Sequence, residues 1–350
     1  MDAKQLITFL SPKAPRRLRV IENILVGKRT VSTLYWGMRY HQLPWLGYEK
    51  KLSRQAMDQA VHELKTQGLV NVAETNAQLT VEGAKAQQQV IQNSYQPENL
   101  NIRLVIDIDT FWVRLLLATQ VVSEQAYQNG QYYPLQAPWA VKQWIKQWFR
   151  HFHDADLKTT FYDFWQSFFT QLPDQQAMFM SQLLVGHERP GETLGQVAQG
   201  LSISETEARV MATDLTCQLA KTISQTQTAC LNTLLAGLKR PLVSTSAQLT
   251  LNSFMAGESL ETISHNRSLK LSTVREHLLE AAILLPKEQF AFQRILTPEL
   301  VGQMSRRLDD TPIDDWQFKQ VEDLPVEFWQ FRLLEILRSK QTDDQHGTTL

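Results

Sequence analysis

The chain has 350 residues, 43% of them apolar and 20% charged, with a formal net charge of −1. That length predicts two or three cores. The composition excludes an intrinsically disordered chain, and near-neutrality argues against indiscriminate binding of polyanions. The cysteines Cys217 and Cys230 lack C-x-x-C spacing and point to a reducing compartment. Leu6 to Leu10 is too short an apolar run for a secretory signal, and no stretch of about 18 apolar residues offers a membrane span. A soluble, cytoplasmic protein is expected.

Charge is unevenly placed. The first 54 residues carry Lys4, Lys13, Arg16, Arg17, Arg19, Lys28, Arg29, Arg39, Lys50, Lys51 and Arg54 against only Asp2, Glu22 and Glu49. Toward the other end Asp309, Asp310, Asp314, Asp315, Glu322, Asp323, Glu327 and Glu335 outnumber the bases. A basic front and an acidic back suggest one surface for phosphate and another for a different partner, although either run also suits a solvated face.

Sparse glycine and proline between periodic segments predict an all-α protein with one small β-hairpin wing, built from several helix-turn-helix modules. In residues 15–85, Leu18, Ile21 and Leu25, then Val31, Leu34 and Met38, mark the inward faces of two helices. Ser53 caps a third, with Met57, Ala60, Val61 and Leu64 inward and Gly68 ending it. Leu69–Val72 and Gln78–Val81 read as strands around a polar turn. Three helices and a hairpin resemble a winged helix, a family whose third helix usually enters a DNA groove; a protein-docking role for the module is the competing reading.

Residues 100–178 hold a dense aromatic group that includes Trp139, Trp144, Trp148, Phe161, Phe164, Trp165 and Phe168. The four-residue spacings put Trp144 with Trp148, Phe161 with Trp165, and Phe164 with Phe168 on common helix faces, which predicts a helical core. A partner groove is preferred to a single-strand stacking platform as the alternative, because few bases interleave apart from Lys142, Lys146 and Arg150.

In residues 180–222, Thr193 caps a short helix and Ser204-Glu205-Thr206-Glu207 reads as a capping box for the next. The phrase resembles the helix-turn-helix of sigma-factor region 4. Its exposed start carries Glu205 and Glu207, which repel phosphate, so a structural copy without strong DNA contact is expected.

Residues 245–286 are the most distinctive. Gly257, Ser259, Leu260, Ile263, Arg267, Leu269, Ser272, Thr273, Val274, His277 and Leu278 resemble the helicase helix-turn-helix domain found at the carboxyl end of some RecQ-type helicases. Ser264 and Ser268 stand where that family more often has alanine and glycine, which predicts a looser turn. Thr273 and Glu276 are in capping-box relation. The order of modules resembles a stand-alone helicase helix-turn-helix protein of Gram-positive bacteria, encoded beside a RecQ-type helicase. That resemblance implies a helicase partner.

The expected domains are 1–98 (basic, winged-helix-like), 99–178 (aromatic-rich, helical), 179–241 (sigma region 4-like), 242–295 (helicase-type helix-turn-helix) and 296–340 (acidic, helical), with a disordered tail over 341–350. Gly27-Lys28-Arg29-Thr30 fails as a phosphate-binding loop, because Arg29 replaces the hydroxyl residue and Glu22 the first glycine. His151 and His153 would point to different faces of a helix, which argues against a metal site. No enzyme, no cofactor and no metal are expected. The reading is an adapter that binds a RecQ-type helicase and DNA in repair or recombination, with a sequence-specific transcription regulator as the alternative. Candidate DNA-binding residues are Arg16, Arg17, Arg19, Lys28, Arg29, Lys50, Lys51 and Arg54 in the first module. Lys270, Ser272, Thr273, Arg275 and His277 are the candidates in the last.

Overall fold

The computed structural model describes residues 1–345, with side chains to 341. The protein is mostly helical, with a small three-stranded antiparallel sheet. In chain order, α1 (Ala3–Leu6), β1 (Arg16–Arg17), α2 (Leu18–Val26), α3 (Val31–Arg39), α4 (Arg54–Thr66), β2 (Val70–Ala73) and β3 (Asn76–Leu79) form the winged-helix segment. Then come α5 (Val81–Asn93), α6 (Ile108–Ala126), α7 (Trp139–His151), α8 (Leu157–Thr170), α9 (Asp174–Gln182), α10 (Leu194–Gly200), α11 (Glu205–Gln225) and α12 (Ala229–Thr233). The last helices are α13 (Thr245–Met255), α14 (Leu260–Asn266), α15 (Leu271–Leu284), α16 (Pro298–Leu308) and α17 (Phe328–Gln345). α17 therefore covers Gln341 to Gln345 of the expected tail, and residues 346–350 lie outside the described residues.

The chain divides into two compact units: Met1–Ala84 together with Pro241 onward, and Lys85–Arg240. In the first, Ile21, Leu25, Leu34, Met38, Met57, Ala60 and Leu64 are buried, on the faces their spacing predicts. The sheet has the order β1-β3-β2. Its hairpin pairs Val70 with Leu79 and Ala73 with Asn76, leaving only Glu74-Thr75 as the turn, tighter than the gap between the expected strands. The third strand, Arg16-Arg17 against Ala77 and Asn76, was not foreseen, because two residues are too short to show a period of two.

α15 is the centre of this unit. Val274 and Leu278 to Leu284 are all buried, so its second half has no solvent face. It packs on α13 and α14 of its own helix-turn-helix and also on α3 and α17. Residues expected as two modules at opposite ends of the chain thus share one fold, because the second half of α15, apolar but for Glu280, must be covered on every side.

The second unit has one continuous core running from Ile106 to Leu238. Phe111, Trp148, Phe161, Trp165 and Phe168 are buried in it, with Trp112, Trp144, Phe149, Phe152, Phe164 and Phe169 packed against it. The aromatic region and the second helix-turn-helix, expected as separate domains, share this core. The physical reason is α11, where Ala208, Met211, Leu215, Cys217, Leu219, Ala220 and Ile223 are buried along the full length of the helix. Trp148 Nε1 donates to the Cys230 carbonyl at 2.9 Å and Trp165 Nε1 to Thr119 Oγ1 at 3.1 Å, so the buried indoles are satisfied.

Candidate nucleic-acid interface

Two helix-turn-helix turns are closed by the same hydrogen bonds. After α10, the amide of Leu201 donates to Val197, that of Ser202 to Gln199 and that of Ile203 to Ala198. After α14, the amide of Arg267 donates to Ile263, that of Ser268 to His265 and that of Leu269 to Ser264. Ser202 and Ser268 occupy the left-handed region, with φ of 55° and 50°. The looseness expected at Ser264 and Ser268 is offset, because Ser264 Oγ donates to the Leu269 carbonyl at 2.6 Å.

Caps fix the helix starts, with two departures from expectation. Ser259 Oγ accepts from the Thr262 amide at 3.1 Å, and Thr193 and Gln196 form a full capping box. Ser204 Oγ accepts from the Glu207 amide at 3.1 Å, but no reciprocal bond closes a box; Glu207 Oε1 accepts from the Tyr95 amide at 2.8 Å. α15 starts at Leu271 after Lys270, which makes no side-chain cap, so Thr273 lies inside the helix and not at its cap.

The candidate cations separate into two groups. Arg16 Nη1 donates to the Phe9 carbonyl at 2.8 Å, and its guanidinium lies 4.9 Å from the Tyr40 ring centroid. Arg17 lies over the Trp36 ring at 4.5 Å. Arg19 and Arg54 both pair with Glu22, at 2.8 and 2.7 Å, and Arg54 also pairs with Asp58 at 3.0 Å. Burial opposes ionisation of Glu22, but hydrogen bonds from the two arginines hold its carboxyl below the usual range. Arg29 is tied to Glu280 at 2.9 Å and to the Leu242 carbonyl at 2.6 Å. In the last module, Arg275 pairs with Glu327 at 2.6 Å and lies 5.4 Å from the Trp329 ring centroid. His277 Nδ1 meets Thr250 Oγ1 at 2.8 Å, and burial, then Arg267, keep the imidazole below its ordinary pKa.

Lys28, Lys50, Lys51 and Lys270 remain exposed and make no ion pair among the described residues. The first three are brought together. The amides of Gly47 and Glu49 donate to the carbonyls of Ile24 and Leu25, at 2.7 and 2.8 Å, which lays the 47–51 loop on the carboxyl end of α2. Gly27 has φ +88°, and a Cβ there would stand 3.0 Å from Gly47 Cα, so only glycine permits this approach. Cations there complement the α2 dipole and leave their ammonium groups toward solvent. At the other module, Lys270 and Ser272 are exposed at the start of α15, with Thr273 half-buried.

Glu22 and Glu280, which decide which arginines are available, were not singled out from the sequence. The Arg19–Glu22 and Arg54–Asp58 spacings, three and four residues on a helix, are the signal that identifies two of these pairs.

This is the architecture of a helix-turn-helix protein. The model of a helix-turn-helix domain family matches residues 246–334, so α13 to α16 and the beginning of α17 lie within such a domain, which suggests DNA binding. The chain is similar to Protein YpbB of Bacillus subtilis (strain 168), 21% identical over 269 residues, which cover 75% of this chain and 76% of that protein. No solved structure matches. Among the described residues no helix is long and apolar enough to cross a membrane.

Proposed function

We propose that this chain is a non-enzymatic adapter that binds DNA and docks a RecQ-type helicase, in DNA repair or recombination. The observation that carries the DNA half is the gathering of Lys28, Lys50 and Lys51 on the end of α2, unpaired, in the same folded unit as the helix-turn-helix domain. Lysines held at a surface without carboxylates to neutralise them meet backbone phosphate and carry no base code. The helicase half rests on the resemblance of residues 245–286 to the module that such helicases carry at their carboxyl end.

The burial of α15 favours an adapter over a sequence-specific regulator. A groove reader presents three or four side chains to base edges along one helix. Here Arg275 is paired, His277 is bonded inward, and the helix beyond Leu278 is enclosed. Of the five candidates only Lys270 and Ser272 stay exposed, with Thr273 half-buried, fewer than the contacts a groove reader makes.

The test is an affinity pull-down with the full chain from nuclease-treated lysate, read by mass spectrometry. Recovery of a RecQ-type helicase at near-equal stoichiometry supports the adapter. Its absence, with selection of one duplex sequence from a random pool, replaces the adapter by the regulator.

A further inference from the structure

We infer that α7 and the segment before it form a second nucleic-acid surface, one that takes single-stranded DNA or RNA, independent of the helix-turn-helix unit. Residues 125–153 contain no Asp or Glu, in a chain that has 36 of them. Within that stretch Lys142, Lys146 and Arg150 follow at four-residue intervals, so they form one row along α7, stepping about 6 Å at a time. None of the three makes an ion pair among the described residues. A row of unpaired cations in a stretch of chain without carboxylates is complementary to a phosphate backbone, and Glu124, the carboxylate next to it, is held by Asn129 and His187.

The aromatic side chains distinguish this strip from an ordinary solvated face. Trp144, Trp148 and Phe149 of the same helix are used by the core. Trp139, three residues before Lys142 and on the same row, is 76% exposed, and Tyr133 just upstream is 98% exposed. Water-exposed rings beside cations offer stacking faces to unpaired bases, which a duplex keeps stacked upon one another. Next to the row lies a cavity of about 510 Å³ lined by Lys146, Phe149 and Tyr132, with Gln125 and Gln128 adding amide donors and acceptors, while the Asn129 amide is engaged by Glu124 and the Gln131 amide. One splayed base fits there, its face against a ring and its edge toward the amides, while Lys146 meets the adjoining phosphate. An acidic peptide would satisfy the cations but would leave Trp139 and Tyr133 without a role.

The experiment is fluorescence anisotropy of the full chain with labelled oligothymidylate of about fifteen nucleotides, at several salt concentrations. Three variants are compared with wild type: the triple Lys142→Gln/Lys146→Gln/Arg150→Gln, Trp139→Ala, and the control triple Lys28→Gln/Lys50→Gln/Lys51→Gln. The α7 triple is expected to weaken binding by roughly 30-fold or more at low salt and to flatten the log–log salt dependence by about 2 units. Trp139→Ala is expected to weaken it by about 5- to 100-fold with the salt dependence kept. The control triple keeps its affinity for the single strand even if it loses the duplex, which separates this surface from the proposed DNA contact of the first unit. Unchanged single-strand affinity in both α7 variants overturns the inference. So does displacement of the oligonucleotide by polyglutamate that binds wild type and Trp139→Ala equally, since the surface then serves an acidic protein segment.

Discussion

Arg29 and Glu280 stand 251 residues apart in the chain, yet their side chains meet at 2.9 Å. Glu280 also accepts from the amide and the hydroxyl of Ser244, each at 2.9 Å, and Arg29 reaches the Leu242 carbonyl. One nearly buried carboxylate therefore joins the winged-helix segment to the start of the helix-turn-helix domain. A second junction in the same unit is made otherwise: Arg39 bonds Asp314 and Ser339, and Arg332 lies 3.8 Å from the Tyr35 ring centroid.

Arg29→Ala leaves the Glu280 charge buried with only the Ser244 donors, and is expected to cost about 3 kcal/mol of stability. Glu280→Gln keeps a hydrogen-bond acceptor and removes the uncompensated charge, so Arg29→Ala added to Glu280→Gln should cost much less than the single Arg29→Ala. Urea unfolding of the two single variants and the double variant measures the coupling.

Stability should also carry the titration of Glu335. Burial pushes its carboxyl up from 4.5 to about 7, against the opposing influence of Arg332, the Tyr35 hydroxyl and Arg39. The folded chain then holds a proton that the unfolded chain releases near its ordinary pKa. The contribution is fully present below about pH 4.5 and is lost as pH rises through about 7. The stability difference between wild type and Glu335→Gln should shift in favour of the variant over that window, by roughly 3 kcal/mol. A difference that stays constant with pH would contradict it.

DNA affinity should follow which cations are free. Lys28→Gln/Lys50→Gln/Lys51→Gln is expected to lower the salt slope of duplex binding by about 2 to 3 units. Arg19→Gln and Arg54→Gln should change affinity little, because Glu22 already holds both guanidinium groups. Glu22→Gln releases them and should tighten binding. Filter binding across a salt series distinguishes these outcomes.

The left-handed serines give a further check. An L-residue in that region costs about 1 kcal/mol relative to glycine, and Ser268 is exposed with φ 50°. Ser268→Gly should therefore stabilise the chain by up to about 1 kcal/mol, and Ser202→Gly, at the corresponding turn, by a similar amount. Thermal unfolding reads both.

Periodicity carried the helices and their inward faces: Ile21, Leu25, Leu34 and Met38 are buried where spacing put them, as are Val274 and Leu278. It also located the helix-turn-helix turns, since their residues are local, though the expected box at Ser204 and the cap at Thr273 are not formed. What it could not supply was which segments share a core. α11 is buried along one face for its whole length and the second half of α15 on every side, and such helices say that they will be covered without saying by what. The candidate interface failed to be legible for the same reason. Arg29, Arg275 and His277 look like surface cations in the sequence, but Glu280, Glu327 and Thr250 reach them only through the fold.

The most direct measurement is sedimentation velocity of the purified full chain mixed with the RecQ-type helicase of its own organism, in the absence of DNA. The adapter account predicts a discrete complex of the two proteins, which then binds forked DNA more tightly than the helicase alone. Two species sedimenting independently at micromolar concentration, with DNA binding by the helicase unaffected, would contradict it.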